Sequence, residues 1–328
     1  MKKVLLSLAV MAIATTAIGQ KLSLLEWNRA EPADIKSAKE WNLKGNVLSV
    51  KYSQYEYMEN FGEPTAGTKK WEMTTYYDEN GRPLISEKIS NGNINGYIHE
   101  YITEGVQTTV NTVGFLNAST ERHTRVFQKG ILISHTYSNH GRIDEKLVGK
   151  QNPDKSWAFT CYNSRGETQE KSTRTFNANG QIVKMEYSQY GPYNNKYSGY
   201  YINTPLAGTY KYNSYGFLCW YQEPKAPNDL YMEYLYNEKG DLTNSVATWT
   251  VSGRPGTPKK KKRDDEKAEY SDYVYDSNGN WIQRVVWNHQ FKPKYIEKRE
   301  IEYCASKEEL KAKAAEKYTS TKKEHMIQ

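Results

Sequence analysis

Aliphatic residues and long apolar runs are scarce in this sequence of 328 residues. The hydrophobic fraction is 37%, and 28 tyrosines contribute to it, so a thick aliphatic core is not expected. After residues 4–13, no stretch is apolar and long enough to predict a membrane-spanning helix. A tyrosine packs across strands with its ring while its hydroxyl stays hydrated. The composition therefore favours an extended sheet of limited thickness.

Cysteine is also rare, and the usual signatures of catalysis are absent. The three cysteines, Cys161, Cys219 and Cys304, are an odd number and do not form a complete disulfide framework. Their spacing does not resemble a zinc site. The motifs of zinc proteases, phosphate-binding loops and serine hydrolases do not occur. We therefore assign no catalytic residue, and expect no cofactor and no metal.

The N-terminus has the features of a secretory signal peptide. Lys2 and Lys3 precede the apolar run, and Ala17-Ile18-Gly19 fits a cleavage site. We expect export to the periplasm, the cell surface or the medium. No cysteine follows the cleavage site, which disfavours a lipid anchor. The formal charge of +7 includes Lys2 and Lys3, so the mature chain is only modestly basic. Nucleic acid is therefore not expected as a partner.

A short turn motif is abundant, in which an aromatic residue is followed by a short polar turn and a glycine. Seven copies end at Gly81, Gly141, Gly166, Gly180, Gly216, Gly240 and Gly279. Glycine adopts positive φ without steric cost, and Asp or Asn bonds its own backbone in such turns. The glycine intervals are unequal, which excludes a strict solenoid. Short connections make neighbouring strands antiparallel. We predict an all-β, antiparallel hairpin-repeat meander that forms an extended twisted sheet or open roll.

The turn motif resembles the YD-repeat family, the tyrosine–aspartate repeats of RHS-like bacterial surface and toxin-delivery proteins. It is also similar to YwqK-type repeat proteins. Tyr77-Asp78 and Tyr275-Asp276 match the dipeptide, whereas other copies carry Asn or Ser, and Phe176 replaces one tyrosine. The resemblance covers roughly residues 43–303. It implies a repeat sheet that acts as a scaffold or binding surface. It does not imply toxin encapsulation, because no large domain follows Tyr303.

The chain divides into four parts by composition. These are a signal peptide (1–19), an N-terminal segment (20–42), a β-repeat domain (43–304) and a C-terminal tail (305–328). Ser306 and Glu309 form a capping box at the start of the tail, and Leu310, Ala314 and Tyr318 share one helical face. We predict a short helix to about Tyr318, followed by frayed residues.

Several side-chain groups have both a functional and a structural interpretation. His123, His135 and His140 fall where a hairpin brings them near a common metal, but we favour exposed strand and turn residues. The lysine-rich run at residues 259–263 is an anion-binding candidate, but we favour a solvated loop. Oxygen ligands for calcium occur in three of the turns, where we favour turn chemistry instead. They are Asp78, Asn177 and Asp276.

The tract 187–201 is the strongest candidate for a binding surface. Six tyrosines lie in it, and Gly191-Pro192 interrupts it. We predict that Tyr190, Tyr193 and Tyr197 form an aromatic platform for a glycan or protein of the cell envelope. Packing within strands is the alternative.

These observations lead to two functional hypotheses of different classes. The first is a non-catalytic binding or scaffold protein of the bacterial envelope, with an unknown ligand and an undetermined oligomeric state. The alternative is a secreted hydrolase acting on glycans or peptides through dispersed carboxylates such as Glu186 and Glu233. Nothing in the sequence places those two carboxylates together.

Overall fold

The computed structural model describes residues 37–189, 206–214, 216–225, 228–251, 263–288, 290 and 292–325. These described residues form eighteen strands and one helix. The strands are β1 (Val47–Asn60), β2 (Glu63–Tyr77), β3 (Pro83–Ser90), β4 (Asn93–Glu104), β5 (Gln107–Leu116), β6 (Glu121–Gln128), β7 (Ile131–Asn139), β8 (Arg142–Gln151), β9 (Trp157–Asn163), β10 (Thr168–Phe176), β11 (Ile182–Gln189), β12 (Leu206–Tyr212), β13 (Leu218–Lys225), β14 (Asn228–Tyr236), β15 (Leu242–Val251), β16 (Arg263–Tyr275), β17 (Trp281–Trp287) and β18 (Pro293–Tyr303). The helix is α1 (Lys307–Glu324).

The strands form a closed antiparallel barrel. Each strand pairs with its neighbours in the chain, and β1 pairs with β18 as well as with β2. In the closing pair, Val50 lies opposite Ile301 and Tyr52 opposite Arg299. The predicted antiparallel meander is present, but the extended sheet or open roll is wrong. The turn motifs predict local hairpins only. Closure of the barrel depends instead on the pairing of β1 with β18, two strands at opposite ends of the domain, so the motifs could not predict it.

The interior of the barrel is filled with side chains. A circular barrel with this many strands is wide enough to hold an aqueous channel. Here inward-facing side chains on many strands are nearly inaccessible, as shown by Phe159 at 2%, Tyr221 at 1% and Met232 at 1% exposure. A continuous cluster of such residues extends from β7 to β17. The barrel is therefore flattened, so that its opposite walls pack against each other.

The turns lie at two ends of the barrel, which we call the first and second rims. The first rim holds the turns after β2 and every later even-numbered strand, and the second rim holds those after the odd-numbered strands. All seven predicted glycines have positive φ. Gly141 and Gly166 lie on the second rim, whereas the other five lie on the first. The unequal glycine intervals arise partly because the seven motifs belong to two different rims.

Helix α1 packs on the outer face of the wall near β1 and β3. The Ser306 side chain accepts a hydrogen bond from Glu309 N, as the capping box predicts. Leu310 and Ala314 are buried against the wall. The prediction that the helix ends near Tyr318 is wrong, because helical structure continues to Glu324. Thr321 is buried in this continuation, so contact with the wall stabilises residues that were expected to fray.

Candidate functional site

A segment that precedes β1, residues 37–46, crosses the first rim; we call it the cross-rim segment. It bonds to the turns after β2, β14 and β16 through Ala38 N to Gly81 O (2.8 Å), Asn42 Nδ2 to Asp241 Oδ1 (2.8 Å) and Lys44 N to Asn280 Oδ1 (2.8 Å). These three turns are far apart along the chain. The segment therefore fixes the shape of this end of the barrel.

Trp41 of the cross-rim segment joins an aromatic cluster in the interior. Its ring lies 5.4 Å from the ring of Tyr52. The Tyr52 ring also contacts Trp71 at 5.0 Å and Trp281 at 5.8 Å between centroids. Burial raises the pKa of the Tyr52 hydroxyl, and the charge of Glu297 raises it further. Tyr52 is therefore a neutral packing residue among three tryptophan rings, not an acid or base.

A buried polar network runs beside this cluster. Arg284 Nε donates to Glu297 Oε2 at 2.6 Å, and Gln54 Nε2 donates to Glu297 Oε1 at 3.1 Å. Trp71 Nε1 donates to Gln54 Oε1 at 3.1 Å, and Arg284 NH1 donates to Tyr273 OH at 3.2 Å. Both oxygens of the Glu297 carboxylate are thus occupied. The network links five neighbouring strands, β16, β17, β18, β1 and β2, and its named groups are engaged with one another.

Two of the three predicted histidines meet, but the metal trio does not form. His123 Nδ1 and His135 Nε2 are 3.2 Å apart, and each residue is 3% exposed. The interpretation of these two as exposed strand residues is therefore wrong, because both face the filled interior. His140 lies in the exposed turn after β7. A further histidine, His99, is buried against Thr112 Oγ1 at 2.9 Å from its Nδ1.

The three turn residues considered as calcium ligands bond to their own turns. Asn177 Oδ1 accepts from the backbone N–H groups of Asn179 and Gln181, each at 3.0 Å. Asp78 and Asp276 make the same pair of bonds. Within the described residues, no group of three or more His, Cys, Asp or Glu side chains is arranged to hold a metal ion.

The remaining predicted sites are either outside the described residues or dispersed. Tyr190, Tyr193, Tyr197 and the run 259–263 lie outside them, so their roles stay predictions. Glu186 and Glu233 are exposed residues of β11 and β14. Strands β12 and β13 lie between them, which places the two carboxylates about 14 Å apart across the sheet alone. That separation exceeds the roughly 5–9.5 Å of paired catalytic carboxylates in glycosidases.

The buried charges were not predicted from the sequence. Arg174, Arg284, Glu297 and Arg299 all face the interior and are at most 6% exposed. The sequence did contain a pattern that could have predicted one of them. Arg284 and the apolar Val286 are two residues apart, so they share one face of the same strand. Charged residues are most often exposed, so that alternation was not interpreted as an inward-facing position.

The outer wall carries exposed polar and charged side chains along its strands. On β10, Glu170, Ser172 and Arg174 are buried, whereas Lys171 and Thr173 between them are exposed. The same alternation places other charged side chains on the outside. They include Lys146, Lys184, Glu186, Lys211 and Glu233. Among the described residues, no helix is long and apolar enough to cross a membrane.

Comparison with known proteins shows remote structural likenesses only. No family model matches the chain, and no curated protein matches it. A porin-like protein from Bacteroides uniformis ATCC 8492 has 11% identity and a TM-score of 0.36, covering 79% of this chain and 98% of that chain. One from Bacteroides vulgatus ATCC 8482 has 9% identity and a TM-score of 0.33, covering 79% and 99%. A structure described as TcdB2-TccC3-Cdc42 has 7% identity and a TM-score of 0.23, covering 75% and 20%. At these TM-scores the likenesses carry no argument about function.

Proposed function

We propose that this chain is an exported, water-exposed β-barrel that serves as a non-catalytic binding or scaffold protein of the cell envelope. The observation that carries the proposal is the alternation of buried and charged side chains along the strands. A barrel that crosses a membrane has an outward apolar band about 25 Å tall and a polar lumen. Here a packed aromatic and apolar cluster, together with paired polar and charged side chains, occupies the interior, and lysine and glutamate side chains face outward. Export itself rests on the predicted signal peptide.

Cell fractionation and conductance measurements test this proposal. We expect the chain with its own signal sequence to be released by osmotic shock and to stay monodisperse without detergent. A form that begins at Gln20 should remain in the cytosol, which controls for export. We expect no channel conductance in planar bilayers, with an outer-membrane porin as the positive control. Retention in carbonate-washed membranes together with ion conductance would contradict the proposal.

The binding role is proposed for the tract that contains Tyr190, Tyr193 and Tyr197. The support is its six tyrosines within residues 187–201, because rigid aromatic rings give contact area at little entropic cost. The triple change to serine should abolish capture of an envelope protein or glycan and leave the melting temperature nearly unchanged. Equal loss of capture and stability would show that the tract is only structural.

A further inference from the structure

Asparagine followed directly by glycine occurs at five places in this sequence. Asparagine is a thermolabile residue. It loses its side-chain amide most readily before glycine, because glycine has no side chain to hinder its own backbone nitrogen, which is the attacking atom. The structure places the five pairs in different surroundings, so we do not expect them to react equally. The asparagines are Asn80, Asn91, Asn95, Asn179 and Asn278.

Three of the pairs lie in repeat turns of the first rim, where both backbone nitrogens are engaged. Asn179 N donates to Asn177 Oδ1 at 3.0 Å, and Gly180 N donates to Asn177 O at 3.0 Å. The pairs at residues 80–81 and 278–279 make the same two bonds to an aspartate of their own turn. The glycine nitrogen must lose its proton in order to react. A hydrogen bond donated by that nitrogen therefore protects the pair.

The pair Asn95-Gly96 is held inside the sheet. It lies within β4, where Gly96 is paired with Glu87 of β3 and with Phe115 of β5. Gly96 is buried, and a Cβ at this position would collide with the Phe115 ring. Because strands flank this glycine on both sides and a ring covers it, the backbone has no room to rearrange around it.

The pair Asn91-Gly92 is exposed, and its glycine nitrogen is not engaged. The two residues form the turn between β3 and β4, in which Ser90 pairs directly with Asn93. Both have positive φ, 50° for Asn91 and 78° for Gly92. Gly92 N donates no hydrogen bond within the described part of the chain. Apart from chain neighbours, no heavy atom lies within 4 Å of the position that a Gly92 Cβ would take. The turn can therefore open without disturbing its surroundings.

We propose that Asn91 is a site of spontaneous deamidation, with water as the co-reactant, and that the fold protects the other four pairs. The Gly92 nitrogen gives its proton to a solvent base and bonds to Cγ of Asn91. The Cγ–Nδ2 bond breaks, ammonia leaves, and a cyclic imide remains. Water then opens the imide. Cleavage of the bond from the ring nitrogen to Cγ gives aspartate, and cleavage of the bond to the main-chain carbon gives isoaspartate.

Either product changes the second rim. A carboxylate replaces a neutral amide, so an exposed turn gains one negative charge at neutral pH. Isoaspartate also adds one carbon to the main chain of a two-residue connection. Such turns fix the register of the strands that they join, so isoaspartate should loosen the ends of β3 and β4. Aged protein should therefore contain the unchanged form together with more acidic forms.

Ageing of the folded protein in heavy-oxygen water tests the proposal. Opening of the imide takes its oxygen from the solvent, so the label marks only deamidation that occurs during the incubation. Mass spectrometry should show labelled product at Asn91 at least about tenfold faster than at each other pair, where two or more further hydrogen bonds must first break. Asn91 and Asn95 share the tryptic peptide from Ile89 to Arg122, and its fragment ions distinguish them. Equal labelling of all five pairs, or none at Asn91, would overturn the proposal.

The same incubation of the guanidinium-unfolded protein provides the matched control. Without the fold, all five pairs should react at similar rates. A preference for Asn91 that persisted in the denaturant would mean that the local sequence, and not the structure, selects the site.

Variants link the acidic form to Asn91. Asn91→Asp reproduces one product and should migrate as the acidic form on ion exchange before any ageing. Asn91→Gln keeps an amide but must close a larger ring, so it should form the acidic species clearly more slowly. Asn278→Asp alters a protected pair and should leave the labelling of Asn91 unchanged. Acidic species that form at the same rate in Asn91→Gln as in the unchanged protein would place the reaction elsewhere.

Discussion

Tyrosine hydroxyls on the first rim satisfy carbonyl groups at the starts of strands. Tyr212 OH donates to Ile182 O at 2.9 Å, and Tyr236 OH donates to Leu218 O at 2.8 Å. Tyr273 OH donates in the same way to Leu242 O. The strand pairing shifts by one residue beside each accepting position, and such bulges interrupt the ladder. Tyr212 and Tyr236 are tyrosines of the repeat, whereas Tyr273 lies two residues before the repeat tyrosine Tyr275, and each of the three completes the backbone hydrogen bonding of the preceding strand.

If the tyrosine hydroxyls stabilise the barrel through these carbonyl groups, the loss of a hydroxyl should be costly on the first rim and nearly neutral on the second. Tyr236→Phe should lower the free energy of unfolding by about 1 kcal/mol or somewhat more, because the buried Leu218 carbonyl loses its donor. Tyr162 lies on the second rim and makes no hydroxyl hydrogen bond among the described residues, so Tyr162→Phe should be nearly neutral. Urea unfolding of both variants measures the difference. Equal effects would mean that the hydroxyls contribute nothing specific.

His99 predicts a loss of stability in mild acid. Burial lowers its pKa to about 3, with smaller contributions from Arg125 and His123, whereas an unfolded histidine titrates near 6.5. The unfolded state therefore binds the proton more readily than the folded state. The stabilisation is present above about pH 6.5 and is lost progressively toward pH 3. From pH 7 to pH 5 the loss is about 2 kcal/mol.

Variants separate this effect from general acid unfolding. His99→Gln removes the titrating group, so its unfolding free energy should fall less between pH 7 and pH 5 than that of the unchanged protein. His140→Asn alters an exposed histidine at positive φ, where Asn is well tolerated, and should keep the full pH dependence. Parallel curves for all three proteins would exclude His99 as the cause.

At the scale of the turn, glycines with the same backbone conformation differ in their surroundings. Gly166 has φ +77° and no heavy atom within 4 Å of the position that a Cβ would take, whereas Gly180 has φ +76° and the backbone oxygen of Gly130 at 3.1 Å from that position. Gly166→Ala should cost about 1 kcal/mol from backbone strain alone. Gly180→Ala should cost clearly more, because it also separates two turns of the first rim. Equal losses in thermal unfolding would argue against that contact.

Local chemistry explains which turns could be predicted from the sequence. Asp78 and Asp276 indicate their turns because each oxygen bonds to the following few residues. The turn after β17 was not predicted, because it contains no glycine. Its backbone bond is nevertheless of the same kind, since Lys292 N donates to Asn288 Oδ1. The turn at Gly141 was grouped with the other glycine turns of the motif. However, Asn139 pairs directly with Arg142, so this turn is a two-residue hairpin turn. Glycine alone does not distinguish these turn types.

The candidate site could not be predicted, because its members are distant in sequence. Trp41 O and Arg299 NH2 meet across a separation of 258 positions. Each residue has a plausible local interpretation, Trp41 as part of an N-terminal segment and Arg299 as an exposed strand charge. Only barrel closure and flattening bring them together. The sequence was informative about hairpins and silent about the side chains that the hairpins enclose.

At the scale of the whole molecule, the filled interior predicts opposite effects for neighbouring residues. Met185 is buried at 3% exposure, and Lys184 beside it faces outward. Met185→Lys should lower the free energy of unfolding by more than about 3 kcal/mol, since a charge enters a packed interior. Lys184→Met should change it by less than about 0.5 kcal/mol. Tolerance of Met185→Lys would indicate a hydrated lumen and refute the flattened barrel.

The closing strand pair also determines how the chain can reach its native state. Hairpins form between segments that follow one another, but the bond from Gln54 to Glu297 joins residues 243 positions apart. Loop-closure entropy makes this pairing the slow step, and until it forms β1 and β18 expose unpaired edges that promote aggregation. In the native barrel the two strands lie side by side, with Cys304 N bonded to Asn46 O at 2.8 Å. A circular permutant that joins the residue after α1 to the start of the cross-rim segment through a flexible linker, and opens the Lys129-Gly130 turn, would greatly shorten the sequence separation of β1 and β18, and should refold faster with less aggregation.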